Sequence, residues 1–259
     1  MMQWMTLFQK ETLENWRNFK WLWVPITFIL VAALDPVTTH YLPVILEKSG
    51  ELPEGAILDL PTPTPPEAFL LSFGQLNLLG VAVVLLMTMG IIAAERKSGV
   101  TELILVKPVS YTAYITAKWA STLVLIFFSL FLGLLTSWYY VNILYGDLAF
   151  SIMIGSFFLY SVWITFVLTI SIFMNVFFKT PGLVGFLSVA LIILINSLNG
   201  LVSRFIDGYP PQINAYIREY VINGSTSGDL WLTLIITLLL IGVLLISSVL
   251  IFRKKELAA

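Results

Sequence analysis

Six long runs of apolar residues, separated by short polar segments, set the pattern of the sequence. Most runs reach the roughly 20 residues that a helix needs to cross a bilayer core of about 30 Å. Apolar and polar positions do not alternate along them, as they would in the strands of a membrane barrel. We therefore predict an all-α, polytopic membrane protein with six transmembrane helices. These spans are placed at residues 21–39, 68–94, 119–145, 151–178, 183–203 and 230–252.

A proline-containing dipeptide, Asp35-Pro36, interrupts the first run. Proline lacks the amide hydrogen that an interior helical position needs, and aspartate is a favoured helix cap. We predict a helix break near the outer end of this span, with Asp35 as its cap. The alternative is that Asp35 belongs to a transport pathway.

The segment 1–20 has the pattern of a separate amphipathic helix. Its apolar positions recur at spacings of three, four or eight: Trp4, Leu7, Phe8, Trp16 and Phe19. Much of the other face is polar: Gln3, Lys10, Glu14 and Arg17. Such a helix lies in a membrane interface; the alternative is that it extends the first span. The predicted organisation is an interfacial helix at 1–20 and a six-helix transmembrane domain at 21–259.

The composition excludes a soluble domain. Only 11% of the residues are charged, where a soluble domain has about 25%, and the mean hydropathy is +0.92. The formal net charge of −1 gives no reason to expect a nucleic-acid partner. Cysteine is absent, which excludes disulfides and thiolate metal sites.

Lysine and arginine are concentrated on one side of the predicted bundle. Eleven of the 14 lie in the N-terminal segment, the loop at 95–118, the turn after the fourth span and the C-terminal tail. Because cytoplasmic loops carry an excess of these residues, we predict that both termini and the 95–118 loop are cytoplasmic. The segments 47–67 and 204–229 are then extracellular, and the second of them contains a short helical pattern at 213–221.

The predicted spans contain few ionisable residues. The five runs from 68–94 onward contain no Asp, Glu, Lys, Arg or His, which leaves Asp35 and His40 as the ionisable candidates of the first span. This disfavours a proton-driven carrier and a charged ion filter. The chain also lacks a phosphate loop, a nucleophile elbow and a zinc-protease motif. We expect no catalytic residue, no metal site, no cofactor and no ATPase activity in this chain.

The segment between the second and third spans carries the most informative motif. Its parts, in order, are Glu95-Arg96, Gly99-Val-Thr101-Glu102, a short apolar run with Lys107, Pro108-Val-Ser110 and Ala117-Lys118. These residue types predict a solvated break at 97–99, a short helix that stops at Pro108, and a new helix that begins at Ser110. An ordinary basic loop on the cytoplasmic side is the alternative interpretation.

This ordered combination resembles the corresponding loop in permease subunits of ABC-2 type transporters, although Gly99-Val-Thr departs mildly from the tighter Gly-Thr of that family. The resemblance implies a coupling helix that docks on a separate ATP-binding subunit. It also implies two permease chains, identical or related, with two ATPase subunits that bind ATP and Mg. The coupling residues that it implies are Glu95, Arg96, Gly99, Thr101, Glu102, Lys107 and Pro108.

We therefore expect the permease subunit of an ATP-driven exporter in the plasma membrane of a bacterium. Candidates for its translocation pathway are Tyr160 and Trp163 in the fourth span and Asn196 and Asn199 on one face of the fifth. Packing between helices is the alternative role for each of them. Two other functions stay open: an ATP-independent channel or carrier, and a membrane scaffold or sensor that transports nothing.

Overall fold

The computed structural model describes residues 2–49, 62–101 and 109–257. Within these ranges the protein is all-α and contains no strand, and six helices are long and apolar enough to cross a membrane. The fold class predicted from the sequence is confirmed. The six spans are Lys20–Leu46, Pro65–Lys97, Tyr111–Leu144, Phe150–Phe177, Pro181–Val202 and Asp229–Lys255.

A separate helix, Met2–Arg17, precedes the first span. It ends where the amide of Asn18 bonds to the carbonyl of Glu14, and Phe19 then adopts a positive φ of 56°. A left-handed residue cannot continue a right-handed helix, so the chain turns before Lys20. The N-terminal helix is thus distinct from the first span, and its placement in the membrane interface stays a prediction.

The first span is one continuous helix, Lys20–Ser49, and the break predicted at Asp35-Pro36 is wrong. Pro36 removes the amide that would bond to the carbonyl of Ala32. The hydroxyl of Ser72 donates to that carbonyl instead, at 2.6 Å. The carboxylate of Asp35 caps nothing and accepts from the side-chain amide of Gln75 at 2.9 and 3.0 Å. The second span therefore satisfies the groups that would otherwise favour a break.

The second span is irregular. Helix Pro65–Gln75 continues as one π-helical turn, Leu76–Gly80, and then as helix Val81–Thr88. The chain bends at residues 89–92 before a short helix, Ala93–Lys97. Single π-helical turns occur often at functional positions, and no pattern in the sequence predicts this one.

The third span begins earlier than predicted, because its helix, Tyr111–Leu144, starts at Tyr111 instead of Trp119. The hydroxyl of Ser110 accepts from the amide of Ala113 at 3.1 Å and caps the new helix. A helix rises about 1.5 Å per residue, which gives this one a length of about 50 Å. This is longer than a bilayer core, so the first turns reach beyond it, and Lys118 belongs to a helix instead of a loop.

The fourth span, Phe150–Phe177, lies at the centre of the bundle: 67% of its most apolar stretch is buried, against 17% for the sixth span. The fifth span consists of helix Pro181–Ser197 and a last turn, Asn199–Val202, and the sixth is helix Asp229–Leu257. The fifth and sixth spans therefore expose most of their surface to the surroundings.

A short helix lies between the fifth and sixth spans, as predicted from the pattern at 213–221. A 3-10 turn at Pro210–Gln212 leads into helix Ile213–Asn223, which ends at Gly224 with a φ of 71°. The hydroxyl of Tyr220 donates to the carbonyl of Ser151 at 3.2 Å, which fixes this helix on the N-terminal end of the fourth span.

Candidate functional site

Three elements meet around the ammonium group of Lys118. This side chain is 1% exposed and lies 2.9 Å from Glu11 of the N-terminal helix and 2.8 Å from Glu95 at the end of the second span. Lys10 bonds to the same two carboxylate oxygens at 3.0 Å each. We call Lys10, Glu11, Glu95, Tyr114 and Lys118 the ion cluster. It joins the N-terminal helix, the second span and the third span in one network.

The bend at residues 89–92 places Glu95 in the ion cluster. The side-chain oxygen of Asn175 accepts from the amides of Ile92 and Ala93 at 3.2 and 3.1 Å, and its nitrogen donates to the carbonyl of Thr88 at 3.0 Å. These bonds replace the backbone partners that the bend removes. One buried amide of the fourth span therefore holds the direction in which the short helix presents Glu95.

Tyr114 occupies the helical position one turn before Lys118. Its hydroxyl donates to the second carboxylate oxygen of Glu95 and lies 3.5 Å from the hydroxyl of Thr101. Its ring stacks on Phe252 with centroids 5.4 Å apart. The guanidinium of Arg96 lies 5.7 Å from the centre of the same Phe252 ring. The end of the sixth span thus packs directly against the ion cluster.

The N-terminal helix turns polar residues toward the bundle. Glu11 and Asn15 are buried, and the amide of Asn15 donates to Ser121 at 3.3 Å. Leu13 and Trp16 point outward and are 57% and 68% exposed. The exposed face carries charged residues as well as these apolar ones, and such a mixture suits a membrane interface.

The charges of the ion cluster balance. Glu11 and Glu95 are matched by Lys10 and Lys118, which is the condition for keeping buried charges ionised. Burial lowers the pKa of Lys10, but the Glu11 and Glu95 carboxylates outweigh it and hold this pKa well above its usual range. Lys10 therefore stays charged at every physiological pH. Lys10 thus contributes a fixed positive charge to the cluster.

Three carboxylates, those of Glu11, Glu14 and Glu95, have oxygens within 4.8 Å of one another, a spacing that also suits a metal ion. Lys10 donates to all three residues and Lys118 to two of them. Two ammonium groups thus already lie among the oxygens of these three carboxylates. The geometry is that of an ion-pair network.

The coupling residues predicted from the sequence fall into two groups. Glu95 belongs to the ion cluster, and Arg96 is buried beside it, donating to the carbonyl of Val176 at 2.9 Å. Gly99 has a φ of 77°, a conformation that glycine adopts without strain, and Thr101 is buried against Tyr114. The remaining three, Glu102, Lys107 and Pro108, lie outside the described residues.

Sequence reasoning missed Lys10, Glu11, Tyr114 and Lys118 as site residues. Tyr114 and Lys118 share a helix face, which their spacing of four could have indicated. The bond between Lys118 and Glu11 joins residues 107 positions apart. No local pattern reveals such a contact, because it depends on how the helices pack.

The four pathway candidates lie in different environments. Tyr160 and Trp163 are fully buried in the core, where Tyr160 packs edge-on against Phe73. Asn196 lines a groove between the second and fifth spans, and Asn199 begins the last turn of the fifth. The described part of the chain therefore brings Asn196 to an open cavity and leaves Tyr160 and Trp163 in the core. A pathway role for all four stays a prediction.

The groove beside Asn196 follows the π-helical turn of the second span. Its volume is about 440 Å³, and its wall includes Gly74, Asn77 and Val189. A second cavity of about 400 Å³ shares Gly74 and Asn77 and reaches Glu67 and Arg218 at the start of the second span. Together they form a largely apolar furrow with amide groups along it, which is open to the side of the bundle.

Comparison with known proteins identifies a relative over nearly the whole chain. No model of a known protein family matches the sequence. An uncharacterized transmembrane protein of Bacillus subtilis (strain 168), YxlG, is 32% identical over 255 residues, which cover 97% of this chain and 98% of the relative. Identity at this level over nearly the full length of both chains indicates a shared fold and common descent. The chain therefore belongs to the family of transmembrane proteins that includes Bacillus subtilis YxlG.

Proposed function

We propose that the protein is the permease subunit of an ABC-2 type exporter, driven by a separate ATP-binding subunit. The observation that carries this proposal is the ion cluster at the base of the loop between the second and third spans. A loop that receives mechanical force needs a rigid connection to the helices that it moves. Salt bridges buried between three elements provide such a connection.

The proposed coupling runs from the loop to the spans. The ATPase docks on the segment around Glu102, Lys107 and Pro108, and its ATP- and Mg-dependent closure displaces this segment. Glu95 and Lys118 flank the segment and are bonded to each other at 2.8 Å. The second and third spans and the N-terminal helix then move as one unit, because each contributes a charge to the ion cluster.

The furrow between the second and fifth spans is the surface on which we expect this movement to act. Its walls are mainly apolar, with Asn77 and Asn196 as polar groups. Such a lining suits an amphiphilic cargo. A second permease chain, identical or related, would close the open side and complete the pathway. The ion cluster would then face the cytoplasm of a bacterial cell, and the furrow would extend toward the outside.

The experiment that tests this proposal uses the chain reconstituted in proteoliposomes with its ATPase subunit. Glu102→Lys reverses a charge in the docking segment and is expected to reduce ATP-dependent transport at unchanged membrane levels. Asp147→Lys makes the same change on an exposed residue at the opposite end of the third span and should leave transport intact. Equal transport by both variants would contradict the docking role.

Two further outcomes would replace the proposal as a whole. Cargo that moves in vesicles without any ATPase would identify a channel or carrier. A stable partner other than an ATP-binding subunit, recovered with the intact protein and without transport, would identify a scaffold or sensor.

A further inference from the structure

An apolar crevice lies between the fourth and fifth spans, on the membrane face that carries the ion cluster. Its volume is about 460 Å³, and it is open to the side of the bundle. Every residue of its wall is apolar, with Phe173, Phe177 and Phe178 on one side and Leu187, Leu191 and Leu194 on the other. The crevice therefore offers room for a hydrocarbon chain and no polar group to bind one end of it.

Two basic residues adjoin the phenylalanine side of this crevice, one by contact and one by its position in the chain. The ammonium of Lys255 donates to the carbonyl of Phe177 at 2.9 Å and lies 4.9 Å from the centre of its ring. Lys179 follows Phe178 in the turn between the two spans and is exposed. Neither lysine has a carboxylate within ion-pair distance among the residues that the structure describes. Their charges are thus available to an anion.

The fifth span adds to the same electrostatic field. Its helix begins just after Lys179, with Pro181 in its first turn, and runs for 17 residues. The N-terminus of such a helix carries a partial positive charge that favours anions. The Lys255 ammonium at Phe177, an exposed lysine next to Phe178 in the chain and a helix N-terminus therefore adjoin one end of a pocket that is itself entirely apolar.

We propose that this crevice binds one anionic glycerophospholipid from the adjacent leaflet. One acyl chain fills the crevice, and the phosphate lies between Lys179 and Lys255. Basic pockets between membrane helices select anionic headgroups in this way. A zwitterionic headgroup brings its own cation to the two lysines and binds less well. A second copy of the chain would bring its own lysines to this end of the crevice, and like charges would oppose it.

The test is native mass spectrometry of the full chain in detergent, titrated with phosphatidylglycerol or with phosphatidylcholine of the same acyl chains. The wild type should retain one phosphatidylglycerol in preference to phosphatidylcholine. Lys179→Gln and Lys255→Gln should each weaken phosphatidylglycerol binding about 5-fold, the effect of about 1 kcal/mol for one basic group. Lys254→Gln, an exposed base of the same helix end, is the matched control and should bind as wild type does.

A second variant tests the apolar part separately. Ala190→Trp places a large side chain in the crevice wall at an exposed position and should reduce binding of both lipids. Leu239→Trp adds a similar ring to an exposed position of the sixth span, outside that wall, and should change nothing. Equal retention of the two lipids by the wild type, or unchanged phosphatidylglycerol binding in Lys179→Gln, would overturn the proposal. None of these measurements depends on an ATPase partner.

Discussion

Lys118 illustrates how a buried charge depends on residues far along the chain. Its ammonium is 1% exposed, and its carboxylate partners come from the N-terminal helix and from the second span. Burying an unpaired charge costs several kcal/mol. The position of Lys118 is therefore stable only while Glu11 and Glu95 are held against it.

Replacing Lys118 by methionine should destabilise the protein strongly. The methionine fills the space of the lysine stem, but the buried carboxylate of Glu11 and the partly buried carboxylate of Glu95 then share Lys10 alone. Breaking a buried pair in this way costs about 3–5 kcal/mol. The measurement is unfolding of the purified protein in micelles by heat or denaturant.

The control for this prediction is Lys97→Met. This variant removes an exposed positive charge two positions after Glu95 in the chain. Its stability should match the wild type, because exposed charges contribute little. If Lys118→Met unfolds at the same midpoint as Lys97→Met, the ion cluster does not stabilise the fold.

The hydroxyl of Tyr114 should contribute separately from its ring. Tyr114→Phe keeps the stacking on Phe252 and removes the hydrogen bond to Glu95. The loss of a bond to a charged group costs about 1.5–3 kcal/mol, measured by the same unfolding experiment. Tyr111→Phe is the matched control, because its ring packs on Phe252 at 5.9 Å. Equal effects of the two variants would show that the hydroxyl of Tyr114 adds nothing.

At the scale of elements, the first and third spans approach closely enough to exclude any side chain at one position. A Cβ atom on Gly133 would lie 2.8 Å from the carbonyl oxygen of Phe28. Small residues permit such contact between membrane helices, where packing drives association. The third span, which carries Lys118, is thereby fixed against the first.

Gly133→Ala should force these two spans apart and lower the stability by about 1–3 kcal/mol, the usual effect of overpacking. Gly242→Ala in the sixth span is the control, since a Cβ there meets nothing within 4 Å. Thermal unfolding in micelles compares the two. A midpoint of Gly133→Ala equal to that of Gly242→Ala would mean that the contact is not tight.

The second span shows how one element depends on its neighbours for its irregular shape. Its side chains satisfy groups of the first span through Ser72 and Gln75. Its own bend is satisfied by Asn175 of the fourth span. A helix with a π-helical turn and a bend is therefore maintained by specific hydrogen bonds from adjacent helices.

At the scale of the whole molecule, the two membrane faces differ in charge and in construction. One face holds the ion cluster, the start of the third span and the basic end of the sixth. The opposite face holds the Ile213–Asn223 helix and the end of the furrow that reaches Glu67 and Arg218. The excess of basic residues predicts that the first of these faces is cytoplasmic.

Single cysteines test this orientation directly, because the chain has none of its own. Lys97→Cys and Asp147→Cys both replace exposed residues, one on each face. A membrane-impermeant maleimide should label Asp147→Cys in intact cells and Lys97→Cys only after lysis. The reverse pattern would place the ion cluster outside and exclude a cytoplasmic ATPase as its partner.

The sequence predicted the spans well and the site only in part. Most of the predicted spans match the helices closely at both ends, because a bilayer demands continuous apolar length. The break at Asp35-Pro36 was wrong, since Ser72 and Gln75, distant along the chain, satisfy the groups concerned. Glu95 was identified as a site residue from its motif, whereas its partners Glu11 and Lys118 were not, although Lys118 belongs to the same motif.

The sequence by itself determined the all-α class, the number of spans and the side on which basic residues collect. These properties follow from the length and composition of local segments in contact with a bilayer. Only the tertiary structure decided that Lys118 is buried, that Asn175 holds the bend of the second span, and that the N-terminal helix turns Glu11 inward. Such contacts join residues that are distant along the chain, and no local pattern encodes them.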